Sequence, residues 1–278
     1  MGFLKKILKT TSANTKEAPE TKEAQKTKFV SSFGEGLEAY NRWAAQSIHN
    51  NFNAPTSQLA SSADICDPKA KPIKDSIIAY ELGVVEQLLK KIQEENISGS
   101  VIEFGVFQGQ NLKYIVDICD KILLNRDIYG FDSFEGLSTP SRQHDLSCWH
   151  AGQYAANFDE VVKYLHADTR QDVHLIKGWF KDSLQQEQAL SIKEVAYARI
   201  DCDLYQPTVE CLEYLTTRLV DRAVLVFDDW TYDLNKGETK AFVEWSGRNP
   251  QFKFDFIFYG VMGHFYMRVH RNQPQAKE

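Results

Sequence analysis

Along the chain the spacing of apolar positions changes character near Gly99. Before it, in "FGEGLEAYNRWAAQSIHNNF" and "DSIIAYELGVVEQLLKKI", apolar residues return every three or four positions, the period of a helix with one buried face. Between these stretches lies the polar, proline-containing "NAPTSQLASSADICDPKAKP", which predicts a long connecting loop. After Gly99, short apolar runs ("SVIEFGVF", "DIYGFDSF", "VHLIKGWF", "EVAYARIDCD", "RAVLVFDDW") alternate with amphipathic segments ("NLKYIVDICDKIL", "NFDEVVKYLH", "TVECLEYLTTRLV", "GETKAFVEWSG"). Strand and helix in turn predict a parallel sheet with helices on both faces, and strands buried on both sides are this continuously apolar.

The end of the chain breaks the alternation. "FKFDFIFYG" and "HFYMRVH" both have strand character, and the few residues around Gly260 and Gly263 leave no room for a helix. They pair as a hairpin, so the last strand runs antiparallel. The expected fold is α/β: a doubly wound, Rossmann-like sheet of seven strands with N-terminal helical additions. The expected organisation is a disordered segment at 1–28, helices and linker at 29–98, the α/β domain at 99–270 and a polar tail at 271–278.

Composition narrows the partners. A formal charge of -6 argues against nucleic acid, and 43% hydrophobic with 25% charged residues is ordinary for a soluble globular protein. The five cysteines show no CxxC spacing, which points to reduced thiols in a cytoplasm. No apolar run reaches the roughly 20 residues that span a bilayer. The start, "MGFLKKILKTTS", sets Phe3, Leu4, Ile7 and Leu8 at helical spacing beside three lysines, a pattern that fits either weak membrane-surface contact or a frayed terminus. Homo-oligomerisation is left open.

Candidate chemistry gathers at strand ends, where open α/β sheets bind ligands. "EFGVFQGQN" places Glu103, Gly105 and Gly109 in the first strand-to-helix turn, the glycines allowing a ligand close to the backbone. A carboxylate there repels phosphate and welcomes the cationic amino-acid end of a ligand. Asp132 ends the second strand in "YGFDSFEGL", a place that accepts hydrogen bonds from ribose hydroxyls; the alternative is a cap on the turn made with Ser133. "RIDCDLY" and "VLVFDDW" bring Asp201, Asp203, Asp228 and Asp229 to one sheet edge. Clustered carboxylates repel unless they lie at the surface, share a cation or exchange protons, and oxygen-only ligands favour magnesium, with manganese or calcium as substitutes. His264 and His270, at the last strand, are expected to be packing or surface residues.

The stretches "VIEFGVFQGQN", "GFDSFEGL", "KGWF", "RIDCDLYQPTVECLEYL", "VLVFDDW" and "KGETKAFVEW" together resemble the macrocin O-methyltransferase family, over roughly residues 74–269. The resemblance implies the seven-stranded S-adenosylmethionine-dependent methyltransferase fold and metal-dependent methylation of sugar hydroxyls. It implies that Glu103, Gly105 and Gly109 meet the amino-acid end of S-adenosyl-L-methionine, Asp132 and Ser133 its ribose, and Gly178, Trp179 and Phe180 its adenine, with Asn111 also cofactor-binding. It further implies Asp201, Asp228 and Asp229 as Mg2+ ligands and Asp203 as the general base. The sequence departs from the family at "GQN" and at "RLVDRAVLVF", which lacks a Pro and Gly-Gly turn. The acceptor is expected to be a small molecule, a sugar or other vicinal diol, covered by "STPSRQHDLSCWHAGQYAAN" with Trp149 and Tyr154. The alternatives are a nicotinamide-type oxidoreductase, which would keep alternating past Phe252, and a non-catalytic cofactor-binding interaction protein.

Overall fold

The computed structural model describes residues 71–272 except 232, 261 and 262, with the side chains of 71–77 left aside. The expectations for 1–28, for the first helix and long loop before Lys71, and for most of the tail lie outside the described residues.

The helical period of "DSIIAYELGVVEQLLKKI" becomes α1 (Lys71–Glu94). Alternation then proceeds through β1 (Ser100–Phe104), α2 (Gln110–Ile122), β2 (Ile128–Asp132), α3 (Phe158–Leu165) and β3 (Val173–Lys177). Two short helices, α4 (Phe180–Ser183) and α5 (Glu187–Ser191), cross to β4 (Val195–Ile200). Then come α6 (Tyr205–Thr216), β5 (Leu219–Phe227), α7 (Gly237–Arg248), β6 (Phe252–Tyr259) and β7 (Phe265–Arg271). The strands form one seven-stranded sheet, ordered β3-β2-β1-β4-β5-β7-β6. β7 lies antiparallel between β5 and β6, as the paired runs near the end predict. That hairpin replaces the further alternation a nicotinamide-type domain requires.

Buried residues of successive strands divide between two cores, one on each face. Ile102, Phe104, Ile200 and Phe227 pack with Leu212, Leu215 and Trp245 of α6 and α7. Val101, Tyr197, Val224 and Val226 pack with Leu89, Ile92, Leu112 and Ile115 of α1 and α2. Double coverage explains the absence of polar alternation in these strands. It also makes β4, with all six residues buried, a rigid support for whatever follows Ile200.

Register fixes what meets at the carboxyl edge. Phe104 pairs with Phe131 and Ile200, and Ile200 with Phe227, so Asp132, Asp201 and Asp228 arrive in one row, with Glu103 level with Arg199 just behind it. Phe227 pairs with Phe265 of the antiparallel β7, which brings the preceding His264 opposite Asp228. One boundary differs from the apolar pattern. "TVECLEYLTTRLV" predicts helix to Val220, yet α6 stops at Thr216 and β5 starts at Leu219. There Arg222 takes a left-handed φ of 66°, in place of the glycine turn that the departure at this point removes.

Candidate active site

A cavity of about 840 Å³ opens at this edge, lined by every residue named above for cofactor, metal or base except Gly109. Gly105, at φ 87°, is needed because a Cβ there would stand 1.7 Å from the carbonyl oxygen of Asp201. This close approach joins the turn after β1 to the end of β4, with Asp201 N–H donating to Phe104 O at 2.8 Å. Gly109 serves packing instead. It caps α2 at φ 81°, and a Cβ would crowd Val161 Cγ1 at 3.1 Å and Leu165 Cδ1 at 3.3 Å of α3.

Glu103 is 1% exposed. Its Oε1 accepts from Asn111 Nδ2 and lies 3.6 Å from Arg199 Nε, while Oε2 is buried with no hydrogen-bond partner. Burial drives its pKa up to about 8, Asp201 and Asp132 adding to the rise and Arg199 and Asn111 opposing it. A cationic group at Oε2 would relieve this strain, which is the donor property that the amino-acid end of S-adenosylmethionine offers. The Asp132 carboxylate accepts from Val106 N–H at 2.7 Å and Phe107 N–H at 2.8 Å through Oδ2, and from Phe134 N–H at 2.6 Å through Oδ1. Ser133 Oγ donates to Gly136 O at 3.2 Å and accepts from Glu135 N–H at 3.0 Å. Both therefore organise their own turns, the capping alternative, and Asp132 also lines the cavity with one acceptor site to spare. Gly178, at φ 143°, is tied to β2 by its N–H to Asp132 O at 2.9 Å. Trp179 follows, and the Phe180 ring meets Phe104 edge-on at 5.9 Å.

The acidic cluster divides. One carboxylate oxygen each of Asp201, Asp203 and Asp229 lies within 4.8 Å of the others. Asp228 turns away to Arg199 Nη2 and to His264 Nε2, the latter at 3.0 Å. Burial raises the pKa of Asp201. Asp203 rises well above the carboxylate range through burial and the charges of Asp229 and Asp201, and Asp229 rises to about 6 through burial and Asp201. Three raised carboxyl groups within reach of one point suit a hard divalent cation, which favours their ionised forms. The resemblance implies a metal set with Asp228 and a base at Asp203; among the described residues the carboxylates already gathered include Asp203 in place of Asp228.

Three residues of this site escaped the sequence patterns. Arg199, 5% exposed, stands in β4 with its Nε 3.6 Å from both Glu103 Oε1 and Asp201 Oδ2. It is a cation of the chain's own, and a charge inside the apolar run "AYARI" was the available signal. Glu238 of α7 is fully buried and accepts from Cys202 N–H at 2.8 Å through Oε1 and from Asp229 N–H at 3.1 Å through Oε2. One side chain thus fastens both aspartate-bearing loops. His264 corrects the expectation of a packing or surface residue, since it bridges Asp228 and Glu81. His270 does lie at the surface, 2.7 Å from Asp255.

Trp149 and Tyr154 line the cavity wall. Their rings lie 6.2 Å apart, Tyr154 meets Phe107 at 5.5 Å, and burial together with the charge of Asp203 pushes the Tyr154 hydroxyl pKa up. Their segment is anchored: Leu137 N–H donates to Gln153 O at 2.7 Å, Gly237 N–H to His144 O at 2.7 Å, and Tyr205 N–H to Asp145 Oδ1 at 2.6 Å.

A closed β-hairpin on a doubly wound sheet, with its cavity at the carboxyl edge, defines the class as a Rossmann-like methyltransferase fold. The chain belongs to the macrocin-O-methyltransferase (TylF) family, whose model matches residues 3–249. It is 25% identical over 169 residues to the 8-demethyl-8-(2,3-dimethoxy-alpha-L-rhamnosyl)-tetracenomycin-C 4'-O-methyltransferase of Streptomyces olivaceus, a match spanning 54% of this chain and 59% of that protein. The fold is similar to that of the O-methyltransferase NovP, with a TM-score of 0.60 and 21% identity over 69% of this chain and 80% of that one. It is similar also to CalS11, a calicheamicin methyltransferase, with a TM-score of 0.55 and 18% identity over 93% of this chain and 99% of that one. Among the described residues no helix is long and apolar enough to cross a membrane.

Proposed function

We propose that the chain is an S-adenosylmethionine-dependent O-methyltransferase that methylates a hydroxyl of a sugar, glycoside or other vicinal diol with the help of Mg2+. The observation that carries this is one cavity lined both by Glu103, whose buried Oε2 has no partner, and by the gathered carboxylates of Asp201, Asp203 and Asp229. The family and the rhamnosyl acceptor named for its relative support a sugar-type substrate.

S-adenosylmethionine, when bound, supplies a methyl group already activated by its sulfonium. Glu103 receives the cofactor's ammonium, Asp132 and Ser133 its ribose side, and Gly178, Trp179 and Phe180 enclose its adenine. A divalent cation, when bound, supplies the positive charge that orients neighbouring hydroxyls and lowers their pKa. Asp201 and Asp229 of the gathered set would hold it, joined by Asp228 as the family resemblance implies. Asp203 Oδ takes the acceptor proton, a task suited to a carboxyl that burial and the neighbouring carboxylates make more basic than an ordinary aspartate. Trp149 and Tyr154 present flat apolar faces to the acceptor and exclude water.

The test is transfer of labelled methyl from S-adenosylmethionine to a panel of rhamnosylated and other glycosylated acceptors, with Mg2+ and with chelator. Transfer that needs the metal supports the proposal. Transfer undiminished by chelation removes the metal, and labelling of non-hydroxylated acceptors alone removes the reaction class.

A further inference from the structure

Three elements distant in sequence meet at Asp228. The end of β5 supplies Asp228, the β6–β7 turn supplies His264, and α1 supplies Glu81. His264 Nδ1 lies 2.7 Å from Glu81 Oε2, and Nε2 lies 3.0 Å from Asp228 Oδ1. Glu81 is only 7% exposed, and a carboxylate leaves water at a cost of several kcal/mol unless it is paired. Glycine in the turn makes room for it: a Cβ on Gly260 would stand 2.2 Å from Glu81 Oε1. The turn is fastened to the aspartate loop, Trp230 N–H donating to Gly263 O at 3.2 Å, and is closed on itself by Gly260 N–H donating to His264 O at 2.7 Å. Arg199 and His264 both meet the same oxygen of Asp228, Oδ1.

On the proposed cation site, we propose that His264 is a positioning residue for Asp228, seated by Glu81 of α1. Oδ1 faces His264 and Arg199 at ion-pair distance without an aligned hydrogen bond, which leaves Oδ2 to serve as the ligand oxygen. Nδ1 is hydrogen-bonded to Glu81 and Nε2 lies against Asp228 at 3.0 Å, so His264 acts through Asp228 and is not itself a ligand. Outer partners of this kind fix the orientation of a ligating carboxylate, and their loss lowers metal affinity by roughly 10–100-fold. The arrangement gives α1, outside the strand-and-helix alternation, a direct part in the site.

The experiment measures Mn2+ binding to the full chain from the free-ion electron paramagnetic resonance signal, with calorimetric binding of S-adenosylhomocysteine alongside. His264→Ala should weaken Mn2+ by roughly 10–100-fold and leave S-adenosylhomocysteine affinity unchanged. In turnover, the KM for Mg2+ should rise while kcat at saturating Mg2+ stays near that of the parent. His264→Gln, whose amide can still donate toward Asp228, should recover part of the loss. Glu81→Gln should weaken Mn2+ in the same direction and have no further effect in the His264→Ala background, because the two residues act in series. Parental Mn2+ affinity in His264→Ala, or additive effects of the two changes, overturns the proposal. Should His264→Ala fail to fold, parental Mn2+ affinity in Glu81→Gln overturns it equally. A parent chain that binds no Mn2+ at all instead overturns the metal site of the proposed function, and His264's role with it.

Discussion

At the scale of single residues, the chain holds carboxyl groups in states that water would not allow. Burial pushes the Glu103 pKa up to about 8 from its ordinary 4.5, so between those values the folded chain binds a proton that the unfolded chain has released. Its contribution to stability is complete below about pH 4.5 and is lost as the pH rises through about 8. The cofactor-free chain should therefore lose stability between those limits, and Glu103→Gln should flatten the slope in urea titrations run across them. Parallel slopes for parent and variant would contradict the assignment. For the same reason S-adenosylhomocysteine should release protons on binding near neutrality, seen as calorimetric enthalpies that depend on the buffer. Asp203→Asn keeps the shape but accepts no proton, so turnover should fall roughly a hundredfold or more with S-adenosylhomocysteine binding retained. Near-normal turnover in that variant would remove Asp203 as the base. These carboxylates were legible because acids at the ends of apolar strands are anomalous. Arg199 was an anomaly of the same kind, hidden by the aspartates two and four residues along. The partners of Asp132 were not legible, since whether a carboxylate serves ribose or its own turn depends on backbone amides that sequence does not place.

At the scale of elements, strand order and register turn those residues into a site. Helix and strand periods foretold the βα units and the closing hairpin, because double burial leaves a plain pattern. They did not foretell that Phe227 pairs with Phe265, and so the approach of His264 to Asp228 was invisible. The start of β5 was misjudged for a related reason: "TTRLV" has helical spacing, but Arg222 turns left-handed where the strand must twist into line. Glu238 shows how an element holds two loops at once, α7 delivering one carboxylate to the amides of Cys202 and Asp229. Glu238→Ala leaves two N–H groups without their acceptor, at about 1–3 kcal/mol each. A loss of about 2–6 kcal/mol is expected, read as a lower urea midpoint with unchanged m-value. An unchanged midpoint would mean that water replaces the side chain without cost. Gly105→Ala should fail more completely, because a Cβ at 1.7 Å from Asp201 O can be relieved only by parting β1 from β4. Its expected signature is loss of soluble folded protein, not a shift in KM.

At the scale of the whole molecule, the gathered carboxylates oppose folding until something offsets their charge. Asp203 is pushed well above the ordinary carboxylate range by burial, then by Asp229 and Asp201, so the chain either carries a repelled charge or takes up a proton to avoid it. Both routes destabilise the metal-free fold above the unfolded pKa of an aspartate. Asp203→Asn removes the cost, and its amide can still donate to Asp229 where the protonated carboxyl did. The metal-free variant should consequently be more stable than the parent near neutral pH, by about 1 kcal/mol. For a folded unit of this size that corresponds to about 2–4 °C in Tm. Mg2+ should then act on the parent by mass action, adding about 2.7 kcal/mol when present at a hundred times its Kd. The variant should begin higher and gain less, because one of the clustered charges that favours the cation is gone, so the two melting curves should converge or cross as Mg2+ is raised. Melts of both proteins over a Mg2+ series check this. A parent already the more stable without metal, or equal Mg2+ shifts in both, would mean that the cluster is neutralised by Arg199 and His264 alone.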